Sequence, residues 1–301
     1  MSARFLHAAD IHLGYAQFCS EARLGDFQAV FDRLADDAIA RRVDCVLLAG
    51  DLFHKRAVDP LTLYGATQAL VRLRNAGIRV LAIEGNHERP PSPGEPSWLT
   101  FLRNMGLLVL LDVTYDAGQP ELAPYAAETG RGAYLDLDCG VRVVGAKWYG
   151  ASTTRVVEDL APRLAALRAA SPRYTVLMLH AGLQGVLDNY SATLTRADLD
   201  ALRPHVDYVA LGHIHKPYMQ DDWLYNPGSL EANSTAEVAW TERGYYDVSV
   251  TPQSDRPHRA TKVVVPGRPF VLLSFGVEAW RTPAECSAQL EAYLARERVA
   301  E

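Results

Sequence analysis

The chain has 301 residues, 49% of them hydrophobic, with 30 Lys and Arg against 36 Asp and Glu for a net charge of −6. This composition excludes a disordered or fibrous chain and supplies enough apolar mass for one large domain with or without a small appendage. The acidic balance excludes the overall signature of a sequence-independent nucleic-acid binder, so any polyanion must be held by local basic patches or by bound cations.

The chain enters a strand pattern at once. No apolar run approaches the ~20 residues that span a bilayer, which predicts a cytoplasmic protein with no membrane association. The four cysteines, Cys19, Cys45, Cys139 and Cys286, show no paired spacing and predict free thiols of a reducing compartment.

Residues 4–9 predict a buried strand with Asp10 and His12 just past its end. Phe27, Val30, Phe31, Leu34, Ala35, Ala38 and Ile39 recur at steps of three and four behind Asp26 as N-cap, which predicts an amphipathic helix. Residues 43–49 form the second predicted strand, ending in Gly50-Asp51, and Asp59-Pro60 opens a helix that runs to Asn75-Ala76-Gly77. A third strand, 79–83, ends in Gly85-Asn86-His87. Three strand-loop-helix units imply a parallel core, and in open α/β sheets ligands collect at the carboxyl ends of the strands. Pro90, Pro91, Pro93, Gly94 and Pro96 predict a stiff loop walling that rim before a short helix at 98–104, closed by Gly106.

Short strands at 107–111, 133–137 and 141–146 predict a second sheet facing the first. A helix at 153–170 follows, then a strand at 174–179 ending in His180 and another at 208–211 ending in Gly212-His213-Ile214-His215. The turn Asn226-Pro227-Gly228-Ser229 and a strand at 245–250 are expected to close this second sheet. The Pro-containing polar stretch 251–258 predicts a boundary between a main domain, 1–258, and an accessory segment, 259–301. That segment holds strands near 262–265 and 270–275 and a helix opened by the capping box Thr282-Pro283-Ala284-Glu285.

Asp10-x-His12, Gly50-Asp51-Leu52-Phe53-His54, Gly85-Asn86-His87-Glu88, His180-Ala181-Gly182 and Gly212-His213-Ile214-His215 therefore all fall at predicted strand ends. A lone Asp-x-His or His-x-His reads as a loop or cap ahead of a ligand pair, and Gly50-Asp51 and Gly85-Asn86 also read as turns. Together they offer two carboxylates, an amide and several imidazoles, a set that suits paired borderline cations such as Mn, Fe or Zn better than calcium or an iron-sulfur cluster. Asp10 and His12 are two apart, so in an extended segment they project to one side, and Asp51 has two oxygens with which to bridge two cations. Two divalent cations beside two ionised Asp ligands leave a net positive site that suits a phosphodiester. Such a pair lowers the pKa of a shared water and clamps the entering and leaving oxygens, while a histidine protonates the leaving group. His7 has the opposite strand parity to Asp10 and is assigned to structure. Lys55, Arg56, Arg89 and Lys216 directly follow these strings and read either as phosphate contacts or as solvated surface charge.

In this order the strings resemble the calcineurin-like metallophosphoesterases. The phrases Asp10-Ile11-His12-Leu13-Gly14-Tyr15, Gly50-Asp51-Leu52-Phe53-His54, Glu84-Gly85-Asn86-His87-Glu88, Gly212-His213-Ile214-His215-Lys216 and Pro227-Gly228-Ser229-Leu230-Glu231 resemble the SbcD-type DNA repair nucleases over about residues 1–275. The resemblance implies an α/β, four-layer αββα sandwich of two mixed sheets flanked by helices, with residues 259–301 as a partial capping segment. It implies two manganese ions, one held by Asp10, His12, Asp51 and His215, the other by Asp51, Asn86, His180 and His213. It makes His87 the catalytic histidine and gives His54 a part in orienting the scissile phosphate. The implied activity is 3′ to 5′ exonuclease on duplex DNA ends with single-strand endonuclease, performed as a homodimer with an SbcC-type coiled-coil ATPase. Two other readings stay open: a small-nucleotide phosphodiesterase or phosphatase, and a DNA-end-binding scaffold.

Overall fold

The computed structural model describes residues 2–90, 92, 95–187, 193–251, 254, 256–270, 276, 278 and 280–296. The first strand, β1 (Ala3–Ala8), leads into α1 (Glu21–Arg41), which is capped by the Ser20 hydroxyl accepting from the Arg23 amide at 3.4 Å. The helix thus starts before the expected Asp26, because its first turn carries no apolar face and the regular spacing begins only at Phe27. Asp26 lies inside the helix and pairs with Arg23 at 2.7 Å. Then come β2 (Cys45–Leu48) and α2 (Pro60–Asn75), where Asp59 Oδ1 accepts from the amides of Leu61 and Thr62 at 3.0 Å and Pro60 fills the first helical position. β3 (Arg79–Ala82), α3 (Trp98–Asn104) and β4 (Val109–Leu110) complete this run.

A small hairpin of β5 (Thr114–Asp116) and β6 (Gln119–Glu121) precedes β7 (Tyr134–Asp136), β8 (Val141–Ala146), α4 (Thr153–Ala170) and β9 (Tyr174–Leu179). A two-stranded ribbon of β10 (Gly182–Leu183) and β11 (Thr193–Leu194) leads to α5 (Arg196–Asp200) and β12 (Tyr208–Leu211). Then follow β13 (Tyr218–Gln220), β14 (Leu224–Asn226), β15 (Gly244–Val250), β16 (His258–Val264) and α6 (Pro283–Arg296).

One sheet has the order β16-β15-β1-β2-β3-β4 and the other β13-β14-β12-β9-β8-β7. The pairings β1-β2-β3-β4 and β8-β9-β12-β14 are parallel, with antiparallel strands at the edges, so both sheets are mixed. The expectation that 245–250 closes the second sheet is corrected: β15 pairs antiparallel with β1 in the first sheet, Phe5 opposite Val248. Alternation predicts a strand but not its partner. The partner is fixed by the free edge of β1 and by Asp247, which pairs with Arg4 and Arg41 across the join.

Three apolar layers separate four structural ones. Phe31, Leu34, Leu70 and Leu102 of α1, α2 and α3 pack under the first sheet. Phe5, Leu47, Val143 and Met178 fill the space between the sheets, and Leu160, Leu164 and Leu199 of α4 and α5 cover the outer face of the second. Each such fully buried side chain contributes ~1.5–3 kcal/mol. The result is the expected αββα sandwich, with the carboxyl ends of the parallel strands of both sheets carrying the rim loops. His7, between the sheets, hydrogen-bonds the Tyr208 hydroxyl and the Leu211 carbonyl at 3.0 Å each.

Residues 1–267 form one compact unit and 268–301 a second. β16 belongs to the first, because it pairs with β15 over its whole length, Val250 opposite His258. In the second unit the Thr282 hydroxyl accepts from the Glu285 amide at 3.2 Å, and the Glu285 carboxylate accepts from the Arg281 amide at 2.7 Å. Most of the strand expected at 270–275 lies outside the described residues.

Candidate metal centre

Five of the loops that leave the two sheets converge. The residues they present do not sit in extended backbone: Asp10, His12, Asp51 and His213 all lie in the left-handed region, at φ 53°, 55°, 55° and 84°. The pairing of Asp10 with His12 therefore comes from two successive left-handed corners rather than from strand alternation, which corrects the geometric argument while bringing the two side chains together. Such conformations cost of order 1–3 kcal/mol each and persist only where the surroundings enforce them.

Glu88 is one enforcer. Its carboxylate is 4% exposed and accepts the amides of Asp51, Leu52, Phe53 and Gly85 at 2.5–3.1 Å, tying the loop after β2 to the loop after β3. Burial and the neighbouring Asp51 carboxylate push Glu88 up to about 8, against the pull of the Gly85 and Phe53 amides. Gly85 has no side chain because a Cβ there would strike the Asp51 carboxylate. Asn226 does the same for the second sheet: its buried amide donates to the carbonyls of Ile214 and Lys216 at 2.6 and 2.9 Å, and the Ser229 amide donates to the His215 carbonyl at 3.1 Å.

On one side of the centre, ligand atoms of Asp10, His12 and His215 lie within 4.8 Å of one another. His215 donates from Nδ1 to Glu237 at 2.8 Å, which leaves a lone pair on Nε2. That Nε2 faces His12 Nε2 at 3.0 Å, within reach of a shared proton or a shared cation. Across the centre, His180 Nδ1 donates to the Ala49 carbonyl at 2.7 Å and so turns Nε2 inward, 3.1 Å from Asn86 Oδ1 and 3.3 Å from Asp51 Oδ2. His213 Nδ1 reaches the same Asn86 oxygen at 2.9 Å, while its backbone amide donates to Asp10.

The electrostatics report a demand for positive charge. Burial alone would raise Asp51, but His180, His12 and His87 hold it well below the usual carboxylate range. Burial would lower His180, yet the Asp51 and Asp10 carboxylates raise it to about 9. Asp10, wholly buried, is pushed up to about 6, and burial with His215 nearby holds His12 well below its ordinary value. His12 Nδ1 is buried without a partner among the described residues. With imidazole, amide and carboxylate donors and no thiolate, the residues present fit two borderline divalent ions.

His54 and His87 flank this centre, with ligand atoms within 4.8 Å of one from His12. His87 Nδ1 donates to the His54 carbonyl at 2.5 Å, so Nε2 is its remaining functional atom. His54 is stacked on Tyr15 at 3.8 Å between centroids, and burial and His87 lower it to about 4. Lys55 and Arg56 are exposed just beyond His54, and Lys216 is half-buried beyond His215. Arg89 lies 3.9 Å over the Trp148 ring, which joins the rims of the two sheets. All seven sequence-predicted metal ligands and both histidines are thus brought together, and the four basic residues border the same loops. Glu237 and Trp148 were missed, and nothing local in the sequence signals either; Glu88 was visible in its string but not as a support.

The family model described as calcineurin-like phosphoesterase matches residues 3–217. The chain is 30% identical over 246 residues to the DNA double-strand break repair protein Mre11 of Archaeoglobus fulgidus, covering 78% of this chain and 52% of that protein. It is 29% identical over 287 residues to the protein of the same name from Methanosarcina acetivorans, covering 94% and 42%. The chain spans about half the length of the curated relatives it matches. Among solved structures, the calcineurin-like phosphoesterase YfkN of Bacillus subtilis matches with a TM-score of 0.50 at 14% identity, covering 87% of this chain and 88% of that one. At that identity the likeness concerns the fold alone, and it agrees with the αββα sandwich.

Proposed function

The chain belongs to the calcineurin-like phosphoesterase family, and from that premise we propose that it is a manganese-dependent DNA nuclease of double-strand-break repair, a 3′ to 5′ exonuclease on duplex ends and a single-strand endonuclease. The observation that carries this reading is the two-sided convergence of acceptors: Asp10, His12 and His215 on one side, Asn86, His180 and His213 on the other, with Asp51 between them. Two divalent cations held there would supply the Lewis acidity and the low-pKa water that phosphodiester hydrolysis needs.

The chain's own groups do the rest. His87, its Nδ1–H committed to the His54 carbonyl, offers the proton at Nε2 to the leaving alkoxide. Tyr15 holds the His54 ring in place beside it. Lys55, Arg56, Arg89 and Lys216 form the local basic rim that an acidic chain needs in order to hold a phosphate backbone, and Trp148 fixes the Arg89 guanidinium. The names of the relatives support DNA as the substrate. A second copy of the chain and a coiled-coil ATPase of the SbcC type are the partners this reading implies. Leu61 and Tyr64 on α2, 68% and 61% exposed, and Phe101 and Met105 at α3 are apolar surface available for pairing two protomers.

The test is cleavage of 3′-labelled and 5′-labelled duplexes in parallel arms with Mn, Mg and EDTA. Mononucleotide release from 3′ ends with Mn and none with EDTA is expected, and His87→Ala should slow it by ~10²–10⁴ while still binding metal. Intact DNA beside rapid hydrolysis of cyclic nucleotides would instead establish the small-nucleotide reading. Intact DNA with tight end binding would establish the scaffold.

A further inference from the structure

The metal centre has a support that none of its ligand strings contains. Glu237, 6% exposed in the 3-10 turn Thr235–Glu237, places Oε1 2.8 Å from His215 Nδ1, 22 residues away in sequence. Its other oxygen accepts the Asn233 amide at 2.9 Å and faces Arg243 at 3.2 Å. Arg243, itself 6% exposed, also donates to the Glu237 carbonyl at 2.7 Å, the Ser229 hydroxyl at 2.5 Å and the Glu231 carbonyl at 3.3 Å. One guanidinium thus binds the 3-10 turn to the turn that clamps the His213-Ile214-His215 loop.

We infer that Glu237 is a positioning residue for the cation bound by Asp10, His12 and His215, fixing His215 in the Nδ1–H tautomer so that Nε2 is the donor, with Arg243 keeping the carboxylate in place. The chemistry is that of a carboxylate behind a ligating imidazole: it sets the ring orientation, selects which nitrogen carries the lone pair and raises that nitrogen's basicity. His180, by contrast, is oriented by the neutral Ala49 carbonyl. A surface ion pair would do little, but here both partners are largely withdrawn from water, at 15% and 7% side-chain exposure. The two cation positions therefore depend on different supports. Removing the Glu237 charge weakens one and spares the other.

This inference rests on the two-cation reading of the centre, and the experiment separates the two. Metal-free protein is titrated with Mn2+ by calorimetry, parent beside Glu237→Gln, a variant that keeps the side-chain shape and an acceptor oxygen but loses the charge. Two binding events in the parent, with one weakened ~10–100-fold in the variant and the other unchanged, are expected. Two unaltered events in the variant overturn the role of Glu237 and leave the centre standing. Absence of Mn2+ binding by the parent overturns both. Should Glu237→Gln fail to fold, long-range 15N–1H spectra of the Zn-loaded parent decide: a His215 Nδ1–H is expected, and an Nε2–H overturns the inference.

Discussion

The two rims that meet at the metal centre are stiffened in different ways. The first-sheet rim, carrying Asp10, His12, Asp51, His54, Asn86 and His87, is held by its own neighbours: Glu88, one residue past His87, gathers four amides of the loops that bear Asp51 and Asn86. The second-sheet rim, carrying His180, His213 and His215, is held from a distance, by the Ala49 carbonyl, Asp10, Asn226 and Glu237. The difference teaches that local supports travel with their motif while remote ones are set by the fold.

The sharpest way to break that comparison is to remove one support from each rim. Glu88→Gln turns an acceptor oxygen into an NH2 that faces two amide donors, and orphaned buried donors cost ~1–3 kcal/mol each, so a loss of about 2–6 kcal/mol is expected in urea denaturation above pH 8, where the parent Glu88 is ionised. Asn226→Ala leaves only carbonyls without donors and is expected to cost about 1–2 kcal/mol on the same measurement. Equal costs would remove the distinction between the rims.

The smallest expected effect lies away from both. Asp247 is held below its ordinary range: burial raises it, but hydrogen bonding and charge from Arg4, and charge from Arg41, outweigh that. A depressed folded-state pKa stabilises above the unfolded value, ~3.9, and the contribution disappears as pH falls through the folded value. Solvent around Arg4 screens the pair and keeps the figure near ~1 kcal/mol. Asp247→Asn should therefore narrow the stability gap to the parent as pH drops from 5 towards 2.5, in urea melts. A constant gap would show that Asp247 acts through packing alone.

The same contrast explains what could be read from the residues. Asp10, His12, Asp51, Asn86 and His87 were legible because strand, loop and helix recur in order and each ligand string marks a strand end. The helix opened by Asp59-Pro60 and the strands at 141–146 and 174–179 were legible for the equally local reason of caps and apolar runs. The pairing of β15 with β1 was not, since alternation names no partner. Nor were the left-handed corners at Asp10 and His12, because non-glycine residues rarely adopt them and only the finished packing enforces them. Glu237 sits in a polar turn with nothing to mark it until the fold brings it to His215.

Anomalous diffraction from crystals grown with Mn2+ tests the convergence of the rims most directly. Two peaks ~3.5–4 Å apart are predicted, one beside Asp10, His12 and His215, the other beside Asn86, His180 and His213, with Asp51 touching both. A single peak, or peaks elsewhere on the molecule, would contradict the account.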